Sequence, residues 1–218
     1  MPFTIHPNSP NQEAIPLVSS TFTEIEPQLR SLLPELPQDL EIYVYDDAII
    51  PEHGVGGFAY SPKVLSISVD NDFPDKAFQK KNIASTTFHE AYHLVQGHTG
   101  NDGFAEYTNA LDSAVYEGCA VIFEREYRDA SVPFGDYSHT DEALLEEWSN
   151  ALAEITQDEW MAENSKLWEQ WSFYDAEDQQ RWKAYKIGTW IVDKYIQSTG
   201  SDIRDMRTLS AQQIINSV

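Results

Sequence analysis

Residues 87–95 read Thr-Phe-His-Glu-Ala-Tyr-His-Leu-Val. On an α-helix, positions i and i+4 share a face. His89 and His93 can therefore grip one metal ion through two imidazole nitrogens at about 2.0–2.1 Å. Glu90 sits about 100° further round the helix, where it flanks the ion and reaches a water bound to it. The surrounding residues are apolar: Ile83, Phe88, Ala91, Tyr92, Leu94 and Val95. Two buried imidazoles and a buried carboxylate are costly unless they share a partner. That cost favours a metal site over the plainer reading of two surface histidines near a carboxylate.

A hydrolytic metal needs a third protein ligand and an open position. His98 and Glu117 compete for the role. His98 is close by, but the metzincin pattern HExxHxxGxxH puts its glycine and last histidine where this chain has Gln96 and Thr99. A histidine at a helix end also has an ordinary use, complementing the helix dipole. Glu117 lies in Tyr116-Glu117-Gly118-Cys119-Ala120, and shares one helical stripe with Ala110, Ala114 and Val121. A carboxylate inside an apolar stripe must be paired or bind a metal. The small residues Ala114 and Gly118 would let this helix approach the HExxH helix closely. The loop 99–103 is short enough for the two helices to return antiparallel. A buried ion pair is the alternative for Glu117.

Outward from this pair of helices, the pattern predicts an α+β fold. Residues 1–13 read as a loose arm. Apolar residues at helical spacing over 14–33 predict a helix, with Pro27 expected to kink or split it. Alternation predicts strands at 41–46, 58–60 and 64–69. From about residue 75 everything reads helical: one helix to Gly97, a second over 104–128, a loop at 129–141, then helices over 141–156, 158–171 and 176–198. Ser210 is the expected N-cap of a last helix at 211–217. All six tryptophans (Trp148, Trp160, Trp168, Trp171, Trp182 and Trp190) fall in this helical part and read as core.

The composition narrows the function. With 218 residues and 41% hydrophobic side chains the chain can bury a proper core. The net charge of −22 repels a phosphate backbone and argues against nucleic-acid binding. Half of it sits in 141–178, where twelve acids face one base, Lys166; a solvated helical face is the plain reading, and a cleft selecting basic substrates, a nucleic-acid mimic or a high-salt habitat are the sharper ones. No apolar run of about 18 residues is present, so no membrane span is expected. The polar, Pro-rich start does not read as a signal peptide. One cysteine, Cys119, cannot form an internal disulfide, and a cytoplasmic setting is expected. The oligomeric state leaves no trace in the sequence.

HExxH followed about two dozen residues later by Glu117-Gly118-Cys119-Ala120 resembles the gluzincin metallopeptidases. More closely, the chain resembles the domain-of-unknown-function family of predicted zinc-dependent proteases, over most of its length. Gly56-Gly57-Phe58-Ala59-Tyr60, the segment from Tyr185 to Val192, and the closing segment 209–218 add to the likeness. The resemblance implies a zincin-like fold: a small N-terminal antiparallel or mixed sheet packed on the HExxH helix, then a mainly helical part. It implies one metallopeptidase domain over 1–218, with the sheet and HExxH helix in 1–99 and the third ligand in 100–218. It implies Zn2+ on His89, His93 and Glu117, Glu90 as general base, and a peptide or protein substrate. Such enzymes supply a downstream Tyr or His to the oxyanion; Tyr185 is the first candidate here, a core tyrosine being its ordinary role, and His139 the second. One departure stands out. Thermolysin-like gluzincins place an aspartate four residues after the glutamate ligand, and this chain has Val121 there; Ser113, one turn before Glu117, offers only a hydroxyl, and Asp112 points off that face. The rival to this reading is a non-catalytic acidic metal-binding or interaction protein, which has no need of Glu90.

Overall fold

The computed structural model describes residues 3–100, 106–128, 133–162 and 165–218. They form a mixed α+β fold that divides into two compact units, 1–105 and 106–218.

The first unit is built on a four-stranded mixed sheet. Its strands are β1 (Thr4–Ile5), β2 (Glu41–Tyr45), β3 (Val55–Ser61) and β4 (Val64–Val69). Their order is β1-β2-β4-β3. β1, β2 and β4 run parallel, while β3 is antiparallel to β4 and forms an edge. The pleat sends Ile42, Val44, Leu65 and Ile67 to a face with no exposure above 0%. Helix α2 (Lys76–Gln96) lies against β3 and β4, with α1 (Ile15–Leu32) beside it.

Two expectations for this unit are corrected. The arm is not loose: Thr4–Ile5 pairs with Glu41–Ile42, His6 stacks on Tyr43 at 4.3 Å, and Asn11 donates to the carbonyls of Tyr45 and Val69 at 3.1 and 2.9 Å. Such cross-chain bonds have no periodicity to betray them. Nor does Pro27 split α1, which continues through it as one helix. Pro27 and Thr23, whose carbonyl loses its amide donor, are both exposed, so the gap lies on the solvent side of the helix. The buried stripe of Val18, Phe22, Ile25 and Leu29 holds the helix together across the gap.

α2 is well bounded. Asp75 caps it by accepting from the Phe78 amide at 2.9 Å. Gly97 ends it in the left-handed conformation at φ 75°. Gln79, buried in its first turn, donates to the carbonyls of Gly54 and Asp70 at 2.9 and 2.6 Å, which fixes the helix against the sheet.

The second unit is helical around α3 (Ala110–Arg128) and α7 (Lys183–Thr199), which pack on each other. Their backbones almost touch: a Cβ on Gly188 would meet the Ala114 carbonyl oxygen at 1.7 Å, and one on Gly118 would meet the Gly188 carbonyl carbon at 2.1 Å. Gly118 and Gly188 thus serve the close approach of α3 and α7. A 3-10 turn at Pro133–Gly135 and helices α4 (Glu142–Glu154), α5 (Gln157–Met161), α6 (Leu167–Ser172), α8 (Ile203–Met206) and α9 (Ala211–Ile215) complete the unit. Ser210 caps α9 in a full capping box with Gln213.

Several boundaries differ from the periodic reading. α3 starts at Ala110, because the Asp112 carboxylate turns back to accept from the Thr108 hydroxyl at 2.8 Å and Asn109 accepts from the Leu111 amide at 3.1 Å. Residues 104–105, 129–132 and most of the 99–103 loop lie outside the described residues. The expected helix at 158–171 is two helices. The start of the one expected at 176–198 is a hairpin of β5 (Tyr174–Asp175) and β6 (Gln180–Arg181). Turn chemistry wins there: Asp175 accepts from the Glu177 amide and Asp178 from the Gln180 amide, at 3.0 and 2.9 Å. Lys183, 3% exposed, then donates to both Asp175 and Asp178. Trp182 adopts a left-handed φ of 62°, strained for a bulky residue, and its ring packs against Phe134 and Phe173. Of the tryptophans, Trp148, Trp160 and Trp171 are core, but Trp168 is 44% exposed.

Among the described residues, no helix is long and apolar enough to cross a membrane.

Candidate metal centre

α2 puts His89, Glu90 and His93 in the interior at 6%, 8% and 3% exposure. The helical spacing turns the two imidazoles toward a common point, with Nε2 of His89 3.0 Å from Nε2 of His93. Two Zn–N bonds at a tetrahedral angle would hold their nitrogens about 3.3 Å apart, so the pair suits one ion with little movement. On α3, Glu117 is partly buried between the buried Ala114 and Val121. Among the described residues His89, His93 and Glu117 form a group whose donor atoms all lie within 4.8 Å of one another. Two imidazoles and one carboxylate are a donor set suited to zinc, with a coordination position left for water or substrate.

His98 is not in this group. Its ring lies 4.6 Å from that of His93, centre to centre, and its amide donates to the His93 carbonyl at 3.0 Å, as part of the α2 C-cap.

Glu90 faces the edge strand. A Cβ on Gly57 would stand 2.9 Å from Glu90 Oε1, 2.8 Å from its Cγ and 2.4 Å from Thr86 Cγ2. Only glycine lets β3 run this close above the carboxylate. Phe58 and Tyr60, which follow on the same strand, are 47% and 52% exposed.

Tyr185 lies in an aromatic cluster, its ring 5.2 Å from Phe134 and 6.0 Å from Trp182, packed beside Val121. His139 is exposed in the turn after the 3-10 segment. Neither belongs to the three-residue group. Asp112 is fully buried but committed elsewhere, to Thr108 and to the Gln212 amide at 2.7 Å.

Tyr107 was not singled out by sequence. Its ring packs edge-on against Tyr116 at 5.7 Å. Burial first, and then the Glu117 carboxylate, hold its hydroxyl far above the ordinary tyrosine range. It is therefore a protonated phenol within electrostatic reach of Glu117. A tyrosine ahead of a helix carries no pattern that could have marked it.

A profile of the family described as predicted Zn-dependent protease (DUF2268) matches residues 18–216. No curated protein and no solved structure matches the chain.

Proposed function

The chain belongs to the family of predicted Zn-dependent proteases, and from that premise we propose that it is a gluzincin-like zinc metallopeptidase. His89, His93 and Glu117 hold the metal, and residues 1–218 act as one catalytic unit. The observation that carries this reading is the convergence of the three donor groups within 4.8 Å, two of them nitrogens 3.0 Å apart on one helix.

Zinc held by these side chains supplies Lewis acidity and a bound water acidified toward about pH 7. Glu90 is the general base: its carboxylate takes the proton of the attacking water and returns it to the leaving amine. Being 8% exposed, it acts where little water competes for that proton. Tyr185 is proposed to donate to the oxyanion that develops on the scissile carbonyl. The substrate is a peptide or protein. Its main chain adds to the open edge of β3, where Gly57 keeps the backbone close to Glu90. The net charge of −22 argues against a nucleic-acid partner. The lone, buried Cys119 agrees with a cytoplasmic setting.

The test pairs metal content with turnover. Wild type should carry about one zinc per chain, the stoichiometry of a His₂Glu site. Glu117→Ala should lose it and His98→Ala keep it. Glu90→Gln should keep the zinc and lose hydrolysis of a peptide library. Full zinc retention in Glu117→Ala, or undiminished turnover in Glu90→Gln, would sink the assignment.

A further inference from the structure

Gln96 is 2% exposed, and among the described residues neither its Oε1 nor its Nε2 has a hydrogen-bond partner. Buried carboxamides are almost always satisfied, and one that is not calls for an explanation. Its position supplies one. His89, His93 and Gln96 follow each other at i, i+4 and i+7, one continuous stripe of α2. His93 turns Nε2 toward His89, so its other ring nitrogen, Nδ1, points elsewhere, and that atom too is buried. A histidine that gives one nitrogen to a metal passes the other N–H to an acceptor, which fixes the ring and strengthens the ligand.

We propose that Gln96 is the positioning residue for His93: its Oε1 accepts the Nδ1 proton of His93 when Nε2 is given to the metal. Side chains at i and i+3 have their Cβ atoms about 5–6 Å apart, a span that an imidazole and a carboxamide close by χ rotation alone. The backbone below them is already fixed, because the α2 C-cap bonds the His93 carbonyl to the amides of Gly97 and His98. The Gln96 carboxamide, buried and without a hydrogen bond among the described residues, is thus an acceptor available to the His93 N–H. The inference rests on the metal reading above.

The experiment measures zinc affinity by competition with a chromophoric chelator, and metal-free melting temperature, in wild type, Gln96→Leu and Gln96→Glu. Gln96→Leu removes the acceptor and two unsatisfied polar atoms together. It should bind zinc about 10–100-fold more weakly, while its metal-free melting temperature stays level or rises. Gln96→Glu, which keeps the acceptor oxygen, should restore the affinity. Zinc binding in Gln96→Leu within about twofold of wild type, against the 10–100-fold expected of such a partner, would overturn the proposal and leave the metal centre standing. So would weaker binding in both variants with a matching fall in melting temperature, since that marks a packing role. No zinc in wild type would overturn the metal centre itself and this inference with it.

Discussion

Gly188→Ala should destabilise the protein, although alanine is the better helix former. In an exposed helix interior the exchange would gain about 1 kcal/mol. Here the new Cβ would stand 1.7 Å from the carbonyl oxygen of Ala114, 2.6 Å from its carbonyl carbon and 3.1 Å from the Gly118 amide nitrogen. All three are backbone atoms of α3, so no side-chain rotation relieves the clash, and the helices must separate. Overpacking typically costs about 1–3 kcal/mol and more where nothing can yield. The cost exceeds the propensity gain, and the net loss should be about 2 kcal/mol. For a chain of this length that lowers the melting temperature by about 4–8 °C. Tryptophan fluorescence is the suitable probe, because all six tryptophans lie between 148 and 190, within the unit formed by 106–218. Gly200→Ala is the control: nothing lies within 4 Å of its Cβ, but its φ is +71°, so it should cost only the left-handed penalty of about 1–2 kcal/mol. A melting temperature in Gly188→Ala equal to or above wild type would refute the close-crossing argument. Glu117 is the residue before Gly118, so the same variant should also weaken zinc binding.

Three further outcomes follow from other parts of the structure. Gly57→Ala must push Glu90 or β3 aside; it should keep its zinc yet lose at least about tenfold in turnover, since misplacement by 1 Å can cost about 100-fold, and full activity would show that β3 does not set the Glu90 carboxylate. Lys183→Met strands the buried Asp175 without its cation and should cost about 3–5 kcal/mol, read as a lower urea midpoint. The pH dependence has a definite sign. Burial works to raise Asp175, but the hydrogen bonds from Lys183, Gln170 and the Glu177 amide prevail and hold it below its ordinary 3.8. A lowered carboxylate contributes stability that is complete above the ordinary value and lost as pH falls through the lowered one. Wild type should therefore lose stability as acid is added below about pH 4, and Lys183→Met should lose less over the same range.

Much of the centre was legible because it is local. His89, Glu90 and His93 stand on one helix, and a fixed rise and twist per residue turn their spacing directly into a shared face. The strands at 41–46 and 64–69 and the Ser210 cap were legible for the same reason: their signals span a few neighbouring residues. Gln96 could have been read too, as the next member of the 89, 93 stripe, had an unsatisfied amide been visible.

Tertiary structure alone decided the rest. Its place as a carboxylate in an apolar stripe marked Glu117 out, but only folding sets its oxygen within 4.8 Å of the histidines. Ala114 and Gly118 announced a close approach without naming the partner, because smallness has no direction; the backbone of α7 fills the space. Periodicity predicted helix through 176–182, where Asp175 and Asp178 instead bend the chain around the buried Lys183 ammonium. Spacing along a chain determines which residues share a face. What that face meets depends on side-chain volumes and charges brought together from distant segments, and those sums are made only in the folded protein.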